Sequence, residues 1–319
     1  MSEVEDNRVK SYIYTYSYHE DEQSLCCLEM RSLFGFDTKS TNLESEIEVD
    51  PSRSPFIKER IEIIFESRRY NELLEQIGRL PAIRSTFKVI YVQNEDLANS
   101  EKVIFEERRK LEREIGLLLK GQVDLLYPKR LFGFMRVGER WVFGKLLKGE
   151  SVWFKHQKKP RSYSTALSTR VARAVVNIAV SNPIGKKVID PCCGIGTVLV
   201  EALSMGINIV GSDLNPLVLS GARENISYFG YSAEVNRKDI RNLTGIYDVA
   251  IIDMPYNLCS VLPENVQLEM LQSARKFAGR IVVVTVEPID SIIEEAGFNI
   301  IDRCVAKKSQ FIREIIVCE

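Results

Sequence analysis

The chain has 319 residues, 45% of them hydrophobic and 27% charged, a composition that suits a multidomain globular protein with substantial cores. It holds no run of about 18 apolar residues to cross a bilayer. Its opening MSEVEDNRVK is acidic and polar where a secretion signal would be basic and then apolar, so the chain reads as cytoplasmic. Seven cysteines without a CxxC spacing, and only two histidines, His19 and His156, argue against both a disulfide framework and a metal centre.

The net charge of −1 hides an asymmetry. Residues 1–50 carry 12 acidic and 4 basic side chains, whereas residues 129–161 carry 10 basic and 2 acidic, a formal +8. Such a segment is either a solvated face with a linker or a stripe that meets phosphates. A pI near 6.3 argues against a protein that coats nucleic acid indiscriminately.

In chain order, the strict alternation of Tyr12–Tyr18 predicts a strand, and a helix follows from about Asp21 to Leu33, capped at Gly35. The Pro/Ser-dense DPSRSP at Asp50–Pro55 marks a boundary. The next stretch places Ile57, Ile61, Ile64 and Phe65 on one helical face, with Leu73, Leu74 and Ile77 on another. Thr86–Gln93 is β-rich, and a further helix ends with Lys120 before Gly121.

From about Ile184 strands and helices alternate. KKVIDPCCGIG reads as strand and loop, and strands are expected at INIVGSDLN, AEVNRKD, YDVAIIDMPY and the very apolar GRIVVVTVEP, with helices at Thr197–Met205, Pro216–Phe229, about Glu264–Phe277 and, short, from Asp290. Two closing runs, FNIIDRCVA and QFIREIIVCE, form a hairpin. This is the pattern of an α/β, doubly wound, mostly parallel sheet with a C-terminal antiparallel hairpin.

Ligands of such sheets bind beyond the carboxyl ends of the strands. After the first comes Asp190-Pro-Cys-Cys-Gly194-Ile-Gly196-Thr197, where glycines let the backbone approach a ligand and amides at the next helix start can donate to it. A tight strand-to-helix turn alone would need the glycines too. Asp213, about twenty residues on, is placed to accept both hydroxyls of a ribose, and Asp239, after the third strand, can accept from an adenine amino group. No third glycine follows Gly196 to hold a pyrophosphate, so a ligand with adenosine but no pyrophosphate fits better: S-adenosylmethionine.

VIDPCCGIGTVLVEALSMGINIVGSDLNPLVLSGARENISYFG resembles the S-adenosylmethionine-binding half of the THUMP-containing RNA guanine-N2 methyltransferases, especially the tRNA enzymes. Ala166–Ala179 is similar to the segment that precedes the family's first strand and covers the cofactor's methionine end. The resemblance is specific over about 162–286 and loose before that. It implies a Rossmann-like class I methyltransferase domain at 166–319, preceded by a ferredoxin-like unit at 1–49, a THUMP-like RNA-binding domain at 50–150 and a basic linker at 151–165. It also implies cofactor contacts from Thr165, Asp190, Gly194, Gly196, Thr197, Asp213, Leu214, Asp239 and Ile240.

The family's catalytic Asp-Pro-Pro-Tyr aligns with Asp253, Met254, Pro255 and Tyr256. An exocyclic amine is a poor nucleophile because its lone pair is delocalised into the ring, so the protein must position and polarise it. Asp253 and the Met254 carbonyl can accept the two amino hydrogens, Pro255 stiffens the turn, and Tyr256 can stack on a base swung out of its helix. Enzymes that methylate carbon 5 of cytosine place a nucleophilic Cys where Tyr256 stands, and Cys259 comes three residues too late. Lys129, Arg130, Lys155, Lys158, Lys159 and Arg161, with aromatics Phe132, Phe134, Trp141, Trp153 and Tyr163 among them, are candidate RNA contacts. The favoured reading is methylation of a guanosine amino group in tRNA. The same chemistry on ribosomal RNA or adenine stays open, as does an RNA-binding protein with a residual cofactor pocket, because Met254 departs from the family pattern.

Overall fold

The computed structural model describes residues 9–99, 101–257, 260–308 and 311–319, with the backbone alone at 256, 257, 260, 261, 308 and 311. By its internal contacts the chain divides into two units. One holds residues up to Ser17, Thr38–Ser52 and Phe56–Glu150, and the other Tyr18–Asp37, Arg53–Pro55 and Ser151–Glu319.

The first unit begins with strand β1 (Tyr12–Tyr16) and, after helix α1 (Gln23–Phe34) of the second unit, continues with β2 (Asn42–Ser45) and β3 (Ile57–Ser67). Helix α2 (Tyr70–Gly78), β4 (Phe87–Tyr91), α3 (Phe105–Leu118), β5 (Arg130–Val137) and β6 (Arg140–Lys148) complete it. The strands form one sheet in the order β2-β1-β3-β6-β5-β4, antiparallel except for the β4–β5 pair. Leu73 and Ile77 of α2 and Ile115 of α3 pack against Phe87, Phe132, Phe134 and Phe143 on one face. Ile13, Ile61, Met135, Val142 and Leu146 form a second cluster.

Two expectations fail here. The residues assigned to a helix at Ile57–Phe65 are a strand, paired with β1 on one side and β6 on the other. A register shift between Ile63 and Phe65 breaks the period-two alternation, and the resulting spacing of apolar residues imitates a helical face. Nor do the first 49 residues form a sheet of their own. Strands β1 and β2 extend the sheet made by β3 to β6.

The second unit contains α1, then α4 (Val152–His156), α5 (Thr169–Ala179), β7 (Lys187–Asp190), α6 (Thr197–Ser204), β8 (Asn208–Asp213), α7 (Pro216–Tyr228), β9 (Val235–Arg237) and β10 (Tyr247–Asp253). A two-stranded ribbon follows, β11 (Tyr256–Asn257) with β12 (Ser260–Val261). Then come α8 (Glu264–Phe277), β13 (Ala278–Thr285), α9 (Asp290–Glu295), β14 (Ile300–Lys308) and β15 (Phe311–Cys318). The large sheet runs β14-β15-β13-β10-β7-β8-β9. Its strands β13, β10, β7, β8 and β9 are parallel neighbours, and β15 is antiparallel to both β13 and β14. This is the doubly wound α/β fold with a closing hairpin that the alternation predicts. Strand order reverses between β7 and β10, the switch point at which such sheets open a crevice.

Helix α1 belongs to this unit because of what it buries. Its Glu29 is fully enclosed and receives hydrogen bonds from Asn177 Nδ2 of α5 (2.6 Å) and from the Ser54 hydroxyl. Burial raises the Glu29 carboxyl to about 7. Arg31 grips Asp302 of β14 through two 2.9 Å bonds, Nε to Oδ2 and Nη2 to Oδ1. Arg173 of α5 continues the network: Nη1 donates to Glu201 Oε2 (2.7 Å) and Nε to the Arg53 carbonyl (2.9 Å), while His156 Nδ1 lies 2.8 Å from Glu201 Oε1. His156 anchors α4, so the segment expected as a basic linker is packed into this unit from its first turn.

Removing one partner of a buried ion pair leaves an uncompensated charge, at a cost of about 3–5 kcal/mol. Arg173→Met, which keeps most of the volume, is therefore expected to lower stability by about that much in chemical denaturation. A variant as stable as the wild type would show that the network does not hold this unit together.

Candidate active site

Asp190 closes β7, Asp213 closes β8 and Asp253 closes β10, with Asp239 two residues past β9. The β7–β10 register pairs Val188 with Val249 and Ile189 with Ala250. Continued, it sets Ile251 opposite Asp190, so Asp253 stands two residues, about 7 Å, farther along the strand direction. A cavity of about 430 Å³ opens here, within the size range of small-molecule sites. Thr165, Asp190, Gly194, Thr197, Asp213, Leu214, Asp239 and Ile240 all line it, as do Asp253, Met254 and Pro255. The structure thus brings together eight of the nine residues expected to hold a cofactor and three of the four expected at the catalytic turn. Tyr256 is in β11, but its side chain lies outside the described residues, as does Cys259 altogether.

The turn after β7 needs its glycines for conformation. Gly194 has φ +51° and Gly196 φ +77°, left-handed values that a side chain disfavours. Gly194 N donates to Asp213 Oδ2 and Asn215 N to Asp213 Oδ1, each at 2.9 Å. These bonds hold the carboxylate still, and its remaining lone pairs stay available to ribose hydroxyls. Gly196 does not line the cavity. A Cβ there would stand 3.2 Å from Ala222 Cβ of α7, so its part is to turn the chain and let two helices approach. Asn225, which sequence reasoning passed over, secures the same turn. From a fully buried position on α7, its Nδ2 donates to the Ile195 carbonyl (2.9 Å) and its Oδ1 accepts from Arg161 N (2.9 Å). A polar residue among the buried apolar positions Leu219, Ala222 and Ile226 was the available signal.

Asp239 is less free than expected. Arg241 donates to it from its backbone N (2.9 Å) and from Nη2 (2.8 Å), and that guanidinium holds the Asp239 carboxyl below its ordinary value. The acid remains ionised, with part of its acceptor capacity already used.

Asp190 and Asp253 behave oppositely. Asp190, 2% exposed, accepts from Cys192 N (3.2 Å), and burial pushes its carboxyl well above the ordinary range, with Asp253 and Asp213 pushing the same way. For Asp253, burial raises the carboxyl to about 7 against the opposing pull of Arg313. Its Oδ1 is shut off from solvent with no hydrogen-bond partner among the described residues. A buried, unpartnered acceptor oxygen is costly, and its natural complement is a donor on the ligand. Arg313 of β15, also missed by sequence reasoning, donates to the Thr165 carbonyl (2.8 Å) and so ties the closing hairpin to the cavity wall. Met254 is 5% exposed, and its N–H donates to the Val284 carbonyl of β13 (2.9 Å), which fixes the turn from the backbone.

The basic stripe is partly neutralised. Arg140 pairs with Glu44 and Glu66, Lys145 with Glu62 (3.1 Å) and Arg136 with Glu101 (3.6 Å). Arg161 pairs with Glu224 (2.6 Å), and Lys159 is half-buried, its Nζ donating to Thr197 Oγ1 (3.1 Å). Phe132 and Phe134 are core residues, Trp141 packs on Tyr70, and Trp153 lies under Arg170, while Tyr163 lines the cavity. Lys129 and Arg130 in the first unit and Lys155 and Lys158 in the second remain exposed.

Residues 156–291 match the family described as "RMKL-like, methyltransferase domain". This segment is a methyltransferase domain. Such a domain takes S-adenosylmethionine, and the held carboxylate of Asp213, the left-handed turn and the cavity fit its adenosine. The tRNA (guanine(10)-N2)-dimethyltransferase of Methanothermobacter thermautotrophicus is 32% identical over 163 residues, 48% of this chain and 48% of that protein. The enzyme of the same name from Pyrococcus abyssi is 26% identical over 217 residues, 62% of this chain and 64% of that one. The chain thus spans about half to two thirds of the length of the curated relatives it matches. Among solved structures, TrmN from Thermus thermophilus aligns over 97% of this chain and 99% of its own, at 20% identity and a TM-score of 0.49.

The methyltransferase domain carries a pH-dependent stability cost in Asp253. A carboxyl raised from an ordinary 3.8 to about 7 binds more protons folded than unfolded, so its contribution to stability is complete below about 4 and is lost as pH rises through about 7. Asp253→Asn should therefore melt higher than the wild type at pH 8, with the gap closing toward pH 4. Equal melting temperatures across that range would place Asp253 in a solvated setting.

Proposed function

We propose that the chain transfers a methyl group from S-adenosylmethionine to the exocyclic amino group of a guanosine in tRNA, in the cytoplasm. The observation that carries this reading is Asp253 Oδ1, a buried acceptor without a partner at the switch point of a methyltransferase sheet. The names of the two relatives above, both enzymes of tRNA guanine N2, support the choice of base and of RNA.

The cofactor supplies an electrophilic methyl on a sulfonium that is already a good leaving group. Asp213 would hold the ribose, and the Gly194 turn would lie along the cofactor. The chain's remaining task is to make the amine reactive. Asp253 accepts one amino hydrogen and the Met254 carbonyl the other, which draws the nitrogen lone pair out of the ring. With its carboxyl near 7, Asp253 is ionised above neutrality and can take the proton released when the nitrogen acquires the methyl. Pro255 follows the carbonyl and limits its turn, and Tyr256 supplies a ring for the displaced base. Exposed Lys129, Arg130, Lys155 and Lys158 would meet phosphates and supply a salt-dependent share of RNA affinity.

Incubation with labelled S-adenosylmethionine and total tRNA or ribosomal RNA, followed by digestion, identifies the labelled nucleoside. N2-methylated guanosine from tRNA is the expected product, and label in another nucleoside or in ribosomal RNA alone rejects the assignment. Asp253→Asn should lose transfer by about 100-fold or more while cofactor affinity holds. Single-turnover rates of the wild type should climb with pH through about 7 and then level, because the acceptor form of Asp253 is the ionised one. Charge reversal at Lys129 and Lys158 should weaken tRNA binding and leave cofactor binding intact; unaltered tRNA affinity would remove these residues from the interface.

A further inference from the structure

Lys159 was grouped with the RNA-facing cations on sequence, yet its amine is half-buried and its Nζ donates to Thr197 Oγ1 at 3.1 Å. Thr197 is the first residue of α6, lines the cavity and follows the left-handed Gly196. A hydroxyl has one hydrogen and two lone pairs, and an ammonium can only donate. Once Thr197 accepts from Lys159, its own hydrogen is directed elsewhere, and among the described residues it finds no acceptor. Three features then converge on one wall of the cavity: a hydroxyl donor, the amides at the start of an eight-residue helix, and a cation behind them. All three call for an anion.

Glu201 answers that call only in part, because it is already engaged by Arg173 at 2.7 Å and His156 at 2.8 Å. Burial lowers the Lys159 amine against the opposing pull of Glu201, which shows the charge held where water does little to stabilise it. S-adenosylmethionine carries a single anionic group, the α-carboxylate of its methionyl end, and the adenosine end is accounted for by Asp213 at the tip of the neighbouring strand.

We propose that Lys159 is a positioning residue for the cofactor: acting through the Thr197 hydroxyl, it orients a donor toward the methionyl carboxylate. The proposal rests on the cofactor reading above. It explains why a lysine amid exposed cations turns inward, and it adds a contact for the methionyl end, for which sequence reasoning had offered only the segment before β7.

The test is calorimetric binding to the full chain of S-adenosylmethionine, S-adenosylhomocysteine and 5′-methylthioadenosine, the last of which lacks the methionyl carboxylate. Lys159→Met should weaken the first two by about tenfold, the loss expected for a hydrogen bond to a charged group, and leave 5′-methylthioadenosine unchanged. Lys159→Arg should recover most of the difference. Thr197→Val should show the same selectivity, and the double variant should lose little beyond either single change, as for two members of one relay. An equal loss for all three ligands makes Lys159 merely structural, and no loss removes it from the site; either result overturns the proposal while the cofactor reading stands. A wild-type chain that binds none of the three overturns both.

Discussion

The reversal of strand order between β7 and β10 is the constraint on which the rest of the second unit depends. Crossovers carry the chain outward from β7 through β8 to β9, and then back to β10 and outward through β13. The connections on the two sides lead away from one another, so the strand ends at the reversal are left uncovered. The acids here are the last residues of their strands and follow buried apolar pairs: Val188 and Ile189 before Asp190, and Ile251 and Ile252 before Asp253. A β10 that outruns β7 by two residues then stacks one acid beyond the other rather than beside it.

Stability is given up for this arrangement. Asp190 and Asp253 are both pushed toward their neutral forms, and the unit holds a third raised carboxyl in Glu29. Buried polar groups of this kind are more often neutral or costly than stabilising, so the hydrophobic sheet core must carry the unit. What Glu29, Asn177, Arg53, Arg173, Glu201 and His156 provide is definition: each has few alternative partners, and together they register α1, the 53–55 segment, α4 and α5 against α6. A fragment beginning at Ser151 would contain the whole large sheet but not Glu29 or Arg53, and so would lack the acceptors that Asn177 Nδ2 and Arg173 Nε use in the full chain. The unit that holds the cavity is therefore discontinuous in the chain.

Much of this was legible in the sequence, and what was missed has physical causes. Parallel strands buried on both faces are apolar runs that end at loops, so β7, β8, β10 and β13, and the acids that close the first three, could be read directly. The helix α1 was also evident, down to its left-handed cap at Gly35, but which unit it joins is decided by Glu29 and Arg31 finding partners some 150 and 271 residues away. Strand β3 was mistaken for a helix because a register shift interrupts its alternation. The charge stripe overstates the local charge because counting along the chain cannot see across a sheet. Arg140 and Lys145 are answered by Glu44, Glu66 and Glu62, which come from distant parts of the sequence but neighbouring strands. Lys159 shows the same limit at the scale of one side chain, since nothing in KKPR tells an inward lysine from an outward one.

Met254 is the residue at which sequence and structure are most informative together. The family that this segment resembles has a proline there, and a proline has no N–H to donate. In this chain the Met254 N–H continues the pairing of β10 with β13 one residue past Asp253, by its bond to the Val284 carbonyl. The Met254 carbonyl is thus held from one side by a strand hydrogen bond and from the other by the Pro255 ring, where two rings would otherwise do the work. The side chain gains a place as well: it joins the cluster of Ile252, Met270 and Phe277 while still lining the cavity, and a thioether fills such an irregular boundary at little cost. A substitution that looked like drift in the catalytic turn replaces covalent rigidity with hydrogen-bonded and packed rigidity. It leaves Asp253 lining the same cavity.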